Sequence, residues 1–309
     1  MLPGTGTTMD LDLRVRLAAF DFLERQTALH GEVLPRDVLR NGFTFEGRQV
    51  RLIGPQGIFK PRILPEIPIS ITTAPPKRGM PPPYDDGLRP DGLLAYRYRG
   101  TDPDHHENVG LRLAMRRNLP LIYHFGIVPG RYLPVWPVYI VGDERHRLTF
   151  TVAVDDHRLA AAELKDATDE LRRSYVTRVT LQRMHQTTFR ERVLRAYREQ
   201  CAVCRLRHAE LLEAAHIIPD RELRGEPIVP NGLALCKLHH AAFDRHILGV
   251  RPDLVIEIRR DILEEVDGPM LRHGLQEMQG RRLHAPRAAE LRPRPEFLEE
   301  RYARFRKAG

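Results

Sequence analysis

Residues 201–250 decide the fold of the C-terminal half, and they read CAVCRLRHAELLEAAHIIPDRELRGEPIVPNGLALCKLHHAAFDRHILGV. All three cysteines of the 309-residue chain fall in this stretch. Cys201 and Cys204 form a CxxC knuckle, and Cys236 and His239 form a CxxH knuckle 31 residues further on. Paired knuckles with this spacing can close a tetrahedral zinc site with two ligands from each turn. The sequence therefore predicts a structural Zn²⁺ ion held by Cys201, Cys204, Cys236 and His239.

Two other interpretations of the cysteines explain less of the sequence. A redox CxxC pair would leave Cys236 and the histidines unexplained, and no thioredoxin-like βαβ pattern surrounds the pair. Cysteines that are merely buried would not be expected at two equal spacings. Three cysteines also cannot form a fully paired disulfide framework, which favours a reducing compartment.

A pattern of histidine and asparagine lies within the same stretch. His216 ends an apolar strand in AAHII, Asn231 opens the turn before the second knuckle, and His240 directly follows His239. The order His, Asn, His inside paired knuckles resembles the HNH endonuclease family, which has a ββα-metal fold. The resemblance covers residues 188–262 and points to the HNH variant of bacterial restriction enzymes. It implies a metal-dependent enzyme that hydrolyses phosphodiester bonds of DNA.

The resemblance implies chemical roles for four residues. His216 would be the general base that takes a proton from water, a task that suits a side chain with a near-neutral pKa. Asn231 would orient that base or bind the catalytic metal ion. His240 would point toward a catalytic Mg²⁺ or Mn²⁺ ion. Asp244 follows on the same helical face and could add a hard oxygen ligand.

The sequence departs from the family pattern at one position. Many HNH enzymes carry a metal-binding Asp directly before the base histidine, and here that residue is Ala215. The catalytic ion must then be held by other groups, and the candidates are Asn231, His240 and Asp244. The roles of His239 and His240 could be exchanged, because adjacent helical residues face different directions. His246 is a further candidate ligand, although we expect it to be a helix-end histidine.

The sequence pattern of residues 1–157 predicts a β-rich domain, and this region contains no cluster of candidate catalytic residues like that of residues 201–250. A helix is expected over 11–30 with Leu13, Leu17 and Phe20 on one face, followed by a hairpin over 43–53. Eight of the 25 prolines lie in residues 61–83, which predicts a surface loop with one short strand at 67–72. Further elements are expected as strands at 93–98, 121–128, 135–141 and 148–154, a helix at 109–117, and turns at 129–130 and 142–143.

The chain as a whole is expected to be an α+β protein of four parts. These are a DNA-recognition domain at 1–157, a helical connector at 158–186, the HNH nuclease domain at 187–262 and a basic helical extension at 263–309. The whole chain is similar to bacterial HNH restriction endonucleases, in which a region of similar size precedes the nuclease. An HNH core cuts with little sequence preference, so we expect the first region to choose the target. By analogy it would be a PUA-like or SRA-like β-barrel that senses modified DNA, at a base or at the backbone.

The charge distribution favours a polyanionic partner for the C-terminal part. Residues 171–309 hold 27 Lys and Arg against 19 Asp and Glu, which accounts for the whole net charge of +8. Arg outnumbers Lys by 44 to 5, however, and this fits a composition bias as well. We predict phosphate contacts from Arg301 and Arg304 near the C-terminus, and nucleic-acid contacts from Arg97 and Arg99 on one strand face. Trp136 and Tyr139 could line a pocket for a flipped base, but we expect them in the core.

The remaining expectations concern partners and location. Double-stranded DNA, modified or not, is the expected partner, and a homodimer would supply the two active sites needed to cut both strands. No apolar run approaches the roughly 18 residues of a membrane span, and the N-terminus lacks a secretory pattern, so we expect a cytoplasmic protein. The alternative is a zinc-containing DNA-binding protein without catalysis, because each histidine taken alone could be structural.

Overall fold

The computed structural model describes residues 11–75, 93–155, 169–222 and 224–308. The chain divides into two compact units, Met1–Met184 and His185–Gly309, which are called the N-terminal and the C-terminal unit below. The fold mixes helices and strands, as the sequence predicts. None of the helices in the described ranges is long and apolar enough to cross a membrane. The Pro81–Pro83 run of the predicted loop and residues 158–168 of the predicted connector lie outside the described residues.

The N-terminal unit contains most of the strands predicted for it, at or close to the expected positions. The predicted hairpin at 43–53 and the strands at 121–128 and 148–154 are confirmed. Its elements are α1 (Leu11–His30), β1 (Leu34–Pro35), α2 (Arg36–Asn41), β2 (Phe43–Phe45), β3 (Arg48–Val50), β4 (Ile58–Phe59), β5 (Ser70–Thr73), β6 (Leu94–Arg97), α3 (His106–Arg116), β7 (Leu121–Val128), β8 (Arg131–Glu144) and β9 (Thr149–Val154). Helix α4 (Asp169–Ala196) begins in this unit and ends in the C-terminal unit.

Seven strands of the described N-terminal unit form one curled sheet. The strand order is β4-β5-β7-β8-β9-β6, with β1 added to β8 and a parallel pairing only between β5 and β7 among these described strands. The two ends of this path approach each other, since the Tyr96 hydroxyl on β6 donates to the Thr72 carbonyl on β5 at 3.4 Å. A Cβ at Gly57 would come within 3.0 Å of that hydroxyl, so glycine permits the approach. The PUA-like or SRA-like identity of the sheet stays a prediction.

Helix α1 has the predicted bounds, but the predicted buried face is wrong. Leu17, expected in the core, is 41% exposed, whereas Arg16 is completely buried. Arg16 pairs with Asp12 one turn earlier and donates to the Pro120 carbonyl at 2.8 Å. A buried charge is tolerated when it is paired and hydrogen-bonded in this way. An apolar pattern could not reveal this face, because an ion pair occupies part of it.

The predicted turn at 142–143 is also wrong. Gly142 and Asp143 lie inside β8, which continues for 14 residues. The register between β8 and β9 shifts between Ile140 and Gly142, so the glycine belongs to a bulge. Asp143 accepts a hydrogen bond from Arg112 at 2.7 Å, which gives the polar residue a partner beside the strand.

The two aromatic residues considered for a flipped-base pocket have different neighbours. Trp136 is partly buried and packs against the hydrophobic cluster that contains Val15 of α1 and Val50 of β3. The Arg173 guanidinium lies 5.5 Å from the centre of the Tyr139 ring. These contacts agree with the expectation that the two aromatics pack within the fold.

The C-terminal unit is built around a single core of buried apolar side chains. That core joins the end of α4 to the knuckle region and to Leu275, Leu283 and Leu298, so residues beyond 262 share it. The elements that follow α4 are β10 (Leu212–His216), β11 (Gly232–Cys236), α5 (Lys237–Asp244), β12 (Leu248–Val250), β13 (Ile256–Ile258), α6 (Arg260–Glu264), α7 (Pro269–Gly274) and α8 (Pro295–Ala308).

Candidate active site and metal centre

Two antiparallel strands and a helix carry the predicted site residues. Strands β10 and β11 pair with His216 opposite Gly232, and α5 starts directly after β11. A Cβ at Gly232 would lie 2.5 Å from Val193 and 2.9 Å from Phe189. Glycine therefore lets α4 pack directly on β11, and this packing brings Phe189 beside His216.

The predicted zinc ligands meet in one cluster. The ligand atoms of Cys201, Cys204, Cys236 and His239 all lie within 4.8 Å of one another. His239 Nδ1 is 3.1 Å from Cys236 Sγ and 3.5 Å from Cys201 Sγ, and the Cys204 and Cys236 sulfurs are 4.0 Å apart. In a tetrahedral site with Zn–S bonds of about 2.3 Å, neighbouring ligand atoms are roughly 3.5–3.8 Å apart. The donor set and its spacing thus fit a metal ion such as zinc.

A backbone carbonyl orients His239 toward the sulfurs. Its Nε2 lies 2.8 Å from the Gly274 carbonyl oxygen, which can only accept a hydrogen bond. Nε2 therefore carries the proton, and the Nδ1 lone pair faces Cys201 and Cys236. The imidazole of the cluster is therefore that of His239 and not that of His240.

His216 lies at the end of β10 with its ring stacked and one ring nitrogen unpartnered. Its ring stacks on Phe189 with centroids 3.9 Å apart and an angle of 16° between the planes. Its buried Nε2 has no hydrogen-bond partner among the described residues. Burial lowers the pKa of His216, against the opposing effect of Asp220. The arrangement gives a neutral imidazole whose free nitrogen can accept a proton.

The His216 ring borders a groove of about 750 Å³ that is open to solvent. The groove combines an aromatic wall with polar and charged side chains, which suits a charged ligand better than an apolar one. Its lining residues are Gln186, Thr187, Phe189, Arg190, Glu213, Ala214, His216 and Asp220.

His240 lies between two carboxylates. Its Nδ1 is 2.6 Å from Glu213 Oε2, and its Nε2 is 3.3 Å from Asp244 Oδ2. The hydrogen bond with Asp244 raises the pKa of His240 more than burial lowers it, and His240 in turn lowers the pKa of Asp244. Divalent cations accept one imidazole and two carboxylates as ligands, and here an ion would displace the proton from one ring nitrogen of His240.

Glu213 is a candidate site residue that sequence reasoning missed. Ala215, which stands where the family has Asp, is completely buried in the core. Glu213 lies two residues earlier on β10 and supplies a carboxylate both to the groove and to His240. An acidic residue close before the base histidine was the available signal, but its position alone could not show that it reaches α5.

The structure does not support the predicted metal-ligand role of Asn231. The residue is completely buried, and its amide nitrogen donates to the carbonyls of Ile218 and Glu226, both at 3.0 Å. Its amide oxygen accepts from the Ile218 backbone N–H at 2.9 Å. Both donor hydrogens are therefore used, and the side chain holds the loop that follows His216 instead of facing the groove.

Two of the arginines predicted to contact nucleic acid are engaged inside the C-terminal unit. Arg301 is buried, donates to the Phe243 carbonyl at 2.9 Å, and lies 4.6 Å above the Phe243 ring. Arg304 pairs with Glu222 and Glu300, each at 2.6 Å. The phosphate contacts predicted for these two residues are therefore not supported, because their charges are already compensated.

Arg97 and Arg99 lie at a pocket in the N-terminal unit. Both are exposed, and Arg99 lies 3.6 Å from Glu107. The pocket lies where β6 approaches β5, and its volume is about 410 Å³. The buried Thr72 hydroxyl lies at its wall and has no hydrogen-bond partner among the described residues. Its lining residues are Gly57, Ile58, Thr72, Tyr96, Arg97, Tyr98, Arg99 and Gly100.

His246 follows α5, as expected of a helix-end histidine. Its φ of 54° lies in the left-handed region, and its Nδ1 is buried without a partner among the described residues. Burial and the nearby Arg301 lower its pKa. These observations describe a histidine at a helix end and give no support to a metal contact.

Comparison with known proteins identifies the segment that carries this site. Residues 201–251 match the family model described as HNH endonuclease, so the C-terminal unit contains an HNH endonuclease domain and the predicted resemblance is confirmed. No curated protein matches the sequence. A solved structure, described as a modification-dependent TagI restriction endonuclease, is similar over 77% of this chain and 82% of its own, with 16% identity and a TM-score of 0.29.

Proposed function

We propose that this protein is a DNA endonuclease of the HNH type that hydrolyses phosphodiester bonds in double-stranded DNA. The observation that carries the proposal is His216, which lies in the matched HNH segment and whose ring, stacked on Phe189, borders a groove open to solvent. A lowered pKa keeps an imidazole neutral near pH 7, so that it can take a proton from a water molecule. Phe189 fixes the plane of the ring during this transfer.

The residues beside His216 would hold a catalytic divalent ion. His240, Asp244 and Glu213 offer one imidazole and two carboxylates within a connected set of hydrogen bonds. A bound Mg²⁺ or Mn²⁺ would neutralise charge on the phosphate and on the leaving oxygen. Asn231 contributes indirectly, because it fixes the loop that begins two residues after His216.

The Cys₃His cluster would hold a structural Zn²⁺ ion. All four protein ligands are supplied, so no position is left for substrate, which is the property of a structural site. The cluster joins the turn at residues 201–204 to the start of α5, and α5 carries His240. Reduced thiols in this role suit a cytoplasmic location.

We propose that the N-terminal unit selects the DNA that is cut. The pocket at the meeting ends of its sheet combines the rings of Tyr96 and Tyr98 with the cations of Arg97 and Arg99. Aromatic and arginine side chains are the groups that contact unstacked bases and phosphates. We infer that this unit senses modified DNA, and that a homodimer brings two active sites to one duplex.

The direct test is a nicking assay with plasmid DNA and the full chain in Mg²⁺ or Mn²⁺. The wild-type protein and a His208→Ala control, which changes an exposed histidine paired only with Glu210, should both cut. His216→Ala should cut about 100- to 10,000-fold more slowly, as expected when a general base is lost. DNA binding without cutting in either metal would instead identify a non-catalytic zinc-containing DNA-binding protein.

A further inference from the structure

The arginines of the C-terminal unit that are available for phosphate contacts are not the two that the sequence predicted, Arg301 and Arg304. Arg301 and Arg304 are compensated within the unit. Several other arginines are exposed and form no ion pair in the described ranges, and four of these belong to segments at the first cysteine knuckle. These residues, called the knuckle arginines below, are Arg198, Arg205, Arg207 and Arg287.

The knuckle arginines belong to three chain segments that the fold ties together around the first cysteine knuckle. Arg198 lies just before the knuckle, Arg205 and Arg207 lie just after it, and Arg287 belongs to the segment that follows Leu283. The His284 N–H donates to the Ala202 carbonyl at 2.8 Å, and the His284 ring is 2.6 Å from the Gln200 amide. The knuckle and the segment carrying Arg287 are therefore fixed side by side.

His284 joins the knuckle to the segment that carries Arg287, and its pKa reflects the surrounding charge. Burial lowers the pKa of His284, and Arg205, Arg198, Arg287 and Arg207 each lower it further. This agrees with the placement of the four arginines in segments that the hydrogen bonds tie together.

The backbone shows that two of these positions hold arginine against local preference. Arg198 and Arg205 have φ values of 58° and 63°, in the left-handed region that glycine and asparagine adopt more readily. The positive φ makes each position sterically less favourable for arginine than for glycine. Both guanidinium groups nevertheless stand at the exposed surface.

We propose that the knuckle arginines form a phosphate-binding surface that docks the backbone of duplex DNA beside the Cys₃His cluster. The inference rests on the proposed nuclease function and specifies how the C-terminal unit holds its substrate. Guanidinium groups bind phosphate through paired, charge-assisted hydrogen bonds. Four cations without an ion pair among the described residues match a polyanion.

The surface also depends on the metal cluster, because Cys201 and Cys204 lie between Arg198 and Arg205. The knuckle is closed by hydrogen bonds from the Arg205 N–H to the Cys201 carbonyl and from the Cys201 N–H to the Leu206 carbonyl, both at 2.9 Å. A metal ion in the cluster would fix this turn and hold the flanking arginines at constant separation.

The test compares two full-length variants that lose the same charge. The first, called the knuckle variant, carries R198Q, R205Q, R207Q and R287Q. The matched control carries R251Q, R259Q, R260Q and R272Q, which change arginines of the same unit that are paired with neighbouring acids. Affinity for a 30-base-pair unmodified duplex is measured by fluorescence anisotropy between 50 and 300 mM salt. Zinc content and the unfolding midpoint show that both variants are folded.

The expected result is a shallower dependence of log affinity on log salt for the knuckle variant, by about 3.6, since each of the four phosphate contacts contributes roughly 0.9 for B-DNA. The control variant should keep the wild-type slope. A knuckle variant with wild-type slope and affinity would overturn the surface, even if the protein cuts DNA. Failure of the wild-type protein to cut any DNA, with the slope change still present, would overturn the nuclease function and leave the surface intact.

Discussion

His216 shows how packing and chemistry meet at one residue. Its ring stacks on Phe189 and borders the groove, and its buried Nε2 has no hydrogen-bond partner among the described residues. Because burial lowers its pKa, the neutral base form persists below the ordinary value of 6.5. The cleavage rate should therefore rise with pH along an acidic limb centred below 6.5. A single-turnover pH–rate profile measures this, and an acidic limb centred above 6.5 would contradict it.

The carboxylate of Glu213 gives a second prediction at the scale of a residue. Glu213→Gln keeps the shape of the side chain but removes its charge, so the metal ion loses an oxygen ligand or His240 loses its partner. We expect Mn²⁺ affinity, measured by electron paramagnetic resonance, to fall about 10- to 100-fold. The matched control is Glu210→Gln, which lies outside the groove. Equal Mn²⁺ affinity of the two variants would contradict a role for Glu213 at the ion.

The sequence predicted that the four cluster residues meet, because metal coordination depends on residue type at fixed spacing. It missed the partners that depend on tertiary contact. Glu213 reaches α5 across 27 residues, and the Gly274 carbonyl that orients His239 lies 35 residues away. The sequence predicted that Asn231 orients the base or binds the metal ion. In the structure its buried amide instead donates a hydrogen bond to the loop that follows His216. Spacing along the chain contains no information on such contacts.

At the scale of elements, the loop between β10 and β11 depends on Asn231. Asn231→Ala removes three hydrogen bonds and leaves the Ile218 N–H and two carbonyls without their partner. We expect the free energy of unfolding of the C-terminal unit to fall by about 3 kcal/mol, as measured by urea denaturation. Unchanged stability together with lost cleavage would instead indicate that the amide acts directly in the reaction.

The ββα element should depend on its metal ion. Removal of zinc by a chelator leaves three thiols and an imidazole facing one another, and small metal sites of this kind commonly lose structure with the ion. We expect a lower unfolding midpoint for the C-terminal unit and loss of cleavage that added Mg²⁺ does not restore. Circular dichroism melting with zinc analysis measures the effect. A chelated protein that melts and cuts like the holoprotein would contradict a structural zinc site.

The ends of the helices and strands were easier to predict than the contacts that these elements make. The ends of α1 follow from its helical spacing, but its buried face contains the Asp12–Arg16 pair, which no apolar pattern reports. Gly142 looked like a turn because glycine ends many strands. In the sheet it marks a bulge, which depends on the pairing of β8 with β9 and is not encoded locally.

At the scale of the whole molecule, the two units are assigned different tasks. The substitutions R97Q and R99Q together should reduce cleavage of modified plasmid DNA more than that of unmodified DNA, because they remove cations from the pocket of the N-terminal unit. The paired arginines Arg145 and Arg147 provide a control of equal charge. Cleavage rates on the two plasmids measure the preference. A preference unaltered by R97Q and R99Q would contradict recognition at this pocket.

The most direct test of the account is the single-turnover cleavage rate of His216→Ala at saturating protein, with zinc content and DNA affinity measured on the same sample. We predict wild-type zinc, an affinity within about threefold of wild type and a rate lower by at least about 100-fold. A variant that binds zinc and DNA normally and still cuts at the wild-type rate would contradict the assignment of His216 as the base.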